Sequence, residues 1–164
     1  MSQNYIESFD PLLTNSPKIL ILGTLPGVES LKVQQYYGHA RNVFWKIIFQ
    51  FFKQPPTTNY SYKIDLLKQN KIALWDVCRV AKRKTSLDSD IKGEKPNAVE
   101  KLVEAYPSIV AIGFNGKKAR ELYDTFFNRK ASIDYHTLLS TSPANAKYSF
   151  EEKFNNWKEI LKKI

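Results

Sequence analysis

Ile19, Leu20, Ile21 and Leu22 run without interruption into GTLPG, residues 23–27. An apolar run with no polar alternation needs cover on both faces, so it reads as a buried parallel strand over 18–22 and not as a hairpin strand with one wet face. Gly23, Pro26 and Gly27 then require a tight turn at the carboxyl end of that strand, where open parallel sheets place their ligand crevices. The segment YYGHARNVFW, residues 36–45, follows after a short interval. It crowds Tyr36, Tyr37, His39, Arg41, Asn42, Phe44 and Trp45 together. That mixture suits a flat heterocycle, with rings to stack on it and amides to read its edge.

Further short apolar stretches predict strands over 72–77, 109–112 and 135–140. Helical stretches over 42–52, 65–69, 97–105, 116–127 and 151–163 separate them. Alternation of this kind implies the α/β class: a three-layer sandwich with a central four-stranded, mainly parallel sheet flanked by helices. In the last helix Phe154, Trp157, Ile160, Leu161 and Ile164 recur at helical spacing and read as core. The 164 residues suit one domain over 1–164, long enough to bury about two thirds of the unfolded surface. In a parallel sheet, the exits through Trp75 to Arg79, Gly113 to Gly116 and Ser140 to Asn145 share an edge with GTLPG. Four segments should therefore line one crevice.

The chain carries 25 Lys and Arg against 16 Asp and Glu, a net charge of +9. A polyanion such as DNA is the expected partner, because neutralised phosphates release counterions. Cys78 is the single cysteine, so neither an intramolecular disulfide nor a cysteine metal cage can form, and a reducing, cytoplasmic setting is expected. The first residues lack a secretory pattern, and no apolar run reaches the roughly 20 residues that span a bilayer. His39 and His136 lack zinc-type spacing. No metal, cofactor or Schiff-base lysine is expected, and a monomer is the simplest assembly.

These motifs, in this order, resemble the uracil-DNA glycosylase superfamily. GTLPG stands where members carry GQDPYH, GINPG or GMNPG. GHARNVFW is similar to the HPANRFW of the mismatch-specific branch, and STSPANA, residues 140–146, to the HPSPRN of the single-strand-selective branch. The DNA-deoxyinosine glycosylase branch, with GSMPG-like and RNxFW segments, is the most similar. Two departures bear on the substrate. Leu25 replaces the Asp or Asn that positions water, and Ser140 replaces the histidine that stabilises a departing uracil anion. The resemblance then assigns the catalytic amide to Asn42, beside Arg41, and implies hydrolysis of the N-glycosidic bond of a deaminated base, hypoxanthine in deoxyinosine, after base flipping.

An amide cannot deprotonate water, but its oxygen can aim it, which suffices for an oxocarbenium-like transition state. Capping of the following helix is the plain structural alternative for Asn42. The resemblance gives Tyr37 the stacking position, with Tyr36 behind it; adjacent tyrosines cannot share one face, so one should reach the crevice. Asp76 matches the position that reads the base edge and could accept from N1–H of hypoxanthine; the alternative is a turn carboxylate or a partner for Arg79. The remaining base-binding expectations are Gly23, Thr24, Leu25, Pro26, Gly27, Asn115 and Ser140. Arg41, Ser142, Pro143, Asn145 and Lys147 are expected to contact DNA. The basic run Arg79, Lys82, Arg83, Lys84 reads as a solvated face or a phosphate contact, and Lys117, Lys118 and Arg120 as a second such group. Three other functions stay open: a uracil or mismatch-specific glycosylase, a non-catalytic DNA-binding module, and a pocket for a free nucleoside.

Overall fold

The computed structural model describes residues 5–164. In chain order the strands are β1 (Tyr5–Glu7), β2 (Ile19–Gly23), β3 (Ile72–Asp76), β4 (Cys78–Lys82), β5 (Lys92–Pro96), β6 (Ala111–Asn115) and β7 (Asp134–Leu138). The helices are α1 (Val28–Val33), α2 (Phe44–Phe51), α3 (Tyr60–Gln69), α4 (Val99–Ala105), α5 (Lys117–Phe126) and α6 (Phe150–Leu161).

β2 is buried at all five residues, as its unbroken apolar run requires. Its side chains alternate between two cores. Ile19 and Ile21 pack with Ile72 and Leu74 of β3 against Phe44, Ile47 and Ile48 of α2, Leu66 and Leu67 of α3, and Trp157 and Ile160 of α6. Leu20 and Leu22 pack on the opposite face with Ile112 and Phe114 of β6, Val99 and Val103 of α4, and Ala119 and Leu122 of α5. The three-layer α/β sandwich expected from the alternating pattern is thus present. Its central sheet has the order β3-β2-β6-β7 with every pairing parallel.

That order fixes where a ligand can sit. From β2 the chain crosses to β3 on one side, whereas from β6 it crosses to β7 on the other, so connections diverge between the neighbours β2 and β6. Crevices open at such switch points, outside the carboxyl ends of the strands. Register sharpens the location: Gly23 pairs with Asp76, Leu22 with Phe114, and Asn115 with Leu138.

The sequence reading misses a second sheet, antiparallel, in the order β1-β4-β5. β4 and β5 contain no apolar run. Buried Cys78 and Ala81 stand three residues apart in β4, and its pairing with β5 shifts register at Cys78/Val80 and Val80/Lys82, so no alternation marks the strand. α1 was also missed, being only six residues long. α3 begins at Tyr60, earlier than the expected 65, because Asn59 caps it by accepting from the Tyr62 amide at 3.1 Å. The strands predicted over 109–112 and 135–140 lie at 111–115 and 134–138.

The expected core of the last helix is realised. Trp157, Ile160 and Leu161 are buried, and Phe154 and Ile164 pack partly buried against them. Ser149 and Glu152 form a reciprocal capping box at its start, a pairing that satisfies two amide donors at once. Trp157 is fully buried, meets Phe44 edge-on with centroids 5.7 Å apart, and donates from Nε1 to the Leu139 carbonyl at 2.8 Å. It therefore ties α6 both to the core and to the segment leaving β7. Trp157→Ala is expected to cost about 3–5 kcal/mol, measured by urea unfolding; a loss below about 1 kcal/mol would contradict this packing.

Candidate active site

The floor of the crevice is set by backbone register. Gly23 and Asp76 end adjacent strands side by side. A Cβ at Gly23 would stand 2.5 Å from Asp76 Oδ1 and 3.5 Å from Tyr37 Oη. Only a residue without a side chain lets the carboxylate lean across the end of β2. Asp76 is 5% exposed, and its Oδ2 is buried with no hydrogen-bond partner. Burial pushes its carboxyl up to about 7; the nearby Asp88 charge adds to this, and the Arg83 guanidinium opposes it. The Arg79 partnership considered from sequence is not what acts on Asp76: Arg79 is exposed, and Arg83 is the cation it feels.

Tyr37 rises beside this floor in the left-handed backbone region, at φ 54°, a conformation uncommon for a residue with a side chain. One face of its ring lies on Phe44, with centroids 4.2 Å apart. Its hydroxyl is buried without a partner, and burial followed by the Asp76 charge holds that phenol well above its ordinary pKa. Tyr36 stands behind it: it is buried, its hydroxyl donates to the Asp10 carbonyl at 2.8 Å, its amide donates to Tyr60 Oη at 3.0 Å, and its carbonyl accepts from Trp45 Nε1 at 2.9 Å. Its neighbours lock Tyr36 in place, so Tyr37 is the tyrosine left to present a ring to the crevice.

Asn42 occupies the entrance to α2. Its Oδ1 accepts from the Phe44 amide at 3.0 Å, a turn bond one residue ahead of the helix; the N-cap is Val43, without a side-chain bond, so the capping alternative weighed from sequence is not realised as an N-cap. The same residue lines the cavity, and an amide oxygen keeps a second lone pair for another donor. This turn bond leaves the oxygen free for a second donor. The segment is stitched to the opposite wall: the Val43 amide donates to the Thr141 carbonyl at 3.1 Å. Thr141 is itself held by Asn115, which donates from Nδ2 to Thr141 Oγ1 at 2.9 Å and accepts from the Thr141 amide at 3.0 Å. The loop beyond is braced internally, with Asn145 Nδ2 donating to the Ser140 carbonyl, the Ser142 amide to Ser140 Oγ and the Ala144 amide to Ser142 Oγ.

These elements enclose a cavity of about 560 Å³, inside the usual range for small-ligand sites. Gly23, Thr24, Leu25, Pro26, Gly27, Tyr37, Asn42, Asp76, Asn115, Ser140, Ser142, Pro143, Asn145 and Lys147 all line it. Arg41 does not; it is exposed beside the entrance. Lys117 lines the cavity at the start of α5.

Two features escaped the sequence reading. Phe9 lines the cavity from the chain's first segment, edge-on to Tyr36 at 5.3 Å; Leu12 pairing with Leu74 beside β3 brings it there, a contact no local pattern announces. The second is a correction. Arg83, read as part of a solvated or phosphate-binding run, is buried at 5% exposure. It donates to the carbonyls of Leu25 and Pro26 and faces Asp88 at 3.9 Å. Thr24 Oγ1 donates to Asp88 at 2.7 Å, and the Val28 amide to Ser86 Oγ at 3.0 Å. The 83–88 segment thus clamps GTLPG from outside. Asp88 and Asp90, acids following a basic run, were the available sign that these cations are not all solvated.

Among the described residues, no group of three or more His, Cys, Asp and Glu side chains is placed to hold a metal ion. No helix there is long and apolar enough to cross a membrane.

A parallel four-stranded sheet thus gathers aromatic, amide and carboxylate groups around one cavity at its carboxyl edge. Residues 11–164 match the family model described as the Uracil DNA glycosylase superfamily, and the chain belongs to that superfamily. It is 36% identical over 158 residues to a protein of Methanosarcina barkeri named hypoxanthine DNA glycosylase, covering 96% of this chain and 98% of the relative. A protein of the same name from Methanosarcina acetivorans is 36% identical over 155 residues, covering 94% and 96%. The fold is also similar to a solution NMR structure of a candidate uracil DNA glycosylase from M. acetivorans. The TM-score is 0.84 at 34% identity, over 96% of this chain and 97% of that one.

The environment of Asp76 has a stability consequence. Its folded pKa lies above the ordinary 3.8, so between roughly pH 4 and 7 the native state holds protons that the unfolded state has lost. Stability then falls as pH rises through that window and stays low above it. Asp76→Asn carries no such term. Its stability relative to the wild type is expected to climb from pH 4 to 7.5, by at most about 4 kcal/mol, and then to level off. Parallel pH profiles in urea melts would contradict this.

Proposed function

We propose that this chain is a monofunctional DNA glycosylase that removes hypoxanthine from deoxyinosine, working as one domain and as a monomer in the cytoplasm. The observation that carries the reading is the unpartnered Oδ2 of Asp76 on the floor of a cavity walled by Tyr37 and Asn42. A buried acceptor without a donor is costly, and a flipped base supplies the missing donor. The names borne by the two Methanosarcina relatives point to the same base.

The carboxylate accepts from N1–H of hypoxanthine. Adenine presents a lone pair at that position, which the carboxylate repels, so the undamaged base is refused. Tyr37 offers its open face for stacking, backed by Phe44. The GTLPG turn, Asn115 and Ser140 complete the base pocket. On the rim, Arg41, Ser142, Pro143, Asn145 and Lys147 hold backbone phosphates and offset part of the few kcal/mol that flipping costs. Charge of +9 supports a DNA partner.

In the reaction the C1′–N9 bond breaks and its electron pair leaves with the base. A water oxygen adds to C1′, and the water proton passes to solvent or to the departed purine. Asn42 contributes by aiming that water. Asn42→Ala is expected to lower the single-turnover rate of hypoxanthine release by roughly 10²-fold or more, while affinity for inosine-containing duplex changes little. Undiminished release would remove Asn42 from catalysis. Release by the wild type from uracil or thymine mismatches but not from inosine would favour the uracil or mismatch-specific alternative, and release from none with tight DNA binding the non-catalytic one.

A further inference from the structure

We propose that the buried guanidinium of Arg83 supplies the positive charge that stabilises the base as it departs. The inference rests on the base-excision reading above and concerns a residue to which that reading gives no role. Breaking C1′–N9 leaves both electrons on the purine, so until a proton arrives the leaving group is an anion spread over its ring nitrogens and O6. Uncompensated negative charge in a dry pocket is expensive, and preorganised positive charge there is worth more than in water. The residue at the carboxyl end of the last sheet strand does not provide it: Ser140 is neutral, and its Oγ accepts from the Ser142 amide at 3.3 Å.

Arg83 has the required properties. Its side chain is 1% exposed and it lines the cavity. Its bonds to the Leu25 and Pro26 carbonyls anchor it to the turn that forms the pocket wall. Its Nε is buried and has no hydrogen-bond partner. The charge reaches the floor, since it acts on the Asp76 carboxyl there. Asp88, the compensating acid 3.9 Å away, has a side chain 40% exposed to solvent against 1% for Arg83; its charge also reaches the Asp76 carboxyl and acts there against the guanidinium. An arginine keeps its proton at any working pH, so the assistance is electrostatic and not proton donation. Arg83 acts on the leaving group through space and through the turn it holds.

The test is single-turnover base release at pH 8.5, where Asp76 is ionised. It compares duplexes carrying deoxyinosine with duplexes carrying 8-aza-deoxyinosine, whose base is more acidic and leaves more readily. Arg83→Gln is expected to slow hypoxanthine release by roughly 10²-fold or more and release of the aza base by much less. Arg83→Lys, which keeps the charge, should preserve the wild-type ratio between the two bases. Asp88→Asn, whose amide oxygen can still accept from Thr24, removes the opposing charge while keeping that bond and should quicken release. Equal losses for both bases in Arg83→Gln, or slower release in Asp88→Asn, would overturn the proposal. If Arg83→Gln does not fold, the Asp88→Asn comparison decides by its sign. Failure of the wild type to release either base would instead overturn the base-excision reading.

Discussion

Gly23 and Asp76 end neighbouring parallel strands in register, and the missing side chain at Gly23 is what allows a carboxyl group to lie buried across the mouth of the sheet. Everything else at the site is arranged around that placement. Burial raises the carboxyl toward neutrality and leaves one oxygen without a partner. A folded protein keeps such a feature only when the rest of the structure over-determines it, and functional sites are where that happens. The neighbouring Tyr37 hydroxyl is likewise buried without a partner.

The walls are rigid because separate segments are cross-tied. Asn115 at the end of β6 grips Thr141 through two bonds, and Thr141 receives the Val43 amide, so the last sheet strand, its loop and the start of α2 form one connected wall. On the other side, Arg83, Ser86 and Asp88 hold GTLPG. Behind Tyr37, Phe44 contacts both Trp45 and Trp157, tying the Tyr37 ring into the core. Precision in this pocket thus depends on the same aromatic cluster that stabilises the fold, and Trp157 serves both by holding the Leu139 carbonyl.

The parallel sheet was legible in the sequence because a fully covered strand must be apolar at every position, and Ile19 to Leu22 meets that test plainly. The convergence of four strand exits follows from parallel topology alone, so the sequence pattern is enough to place Asp76, Asn115 and Ser140 together. The antiparallel β1-β4-β5 sheet was not legible. Its strands are short, charged and half-covered, so their hydrogen bonding is decided by neighbours distant in the chain. Arg83 was misread for the same reason: a cation in a basic run looks solvated until the carbonyls that surround it come from GTLPG, far away in sequence. Phe9 reaches the cavity only through a long-range bridge beside β3. Asn42 is a mixed case: local sequence offered a helix cap or a catalytic amide, and the structure puts the residue on the cavity wall with its Oδ1 on the Phe44 amide, one residue ahead of the Val43 N-cap.

The most direct measurement is a crystal structure of the protein with a duplex carrying 2′-fluoro-deoxyinosine, whose glycosidic bond resists cleavage. The account expects the hypoxanthine ring inside the cavity, against Tyr37, with N1 within hydrogen-bond distance of Asp76 Oδ2 and a water between Asn42 and C1′. A base left stacked in the duplex, or seated with N1 turned away from Asp76, would contradict it.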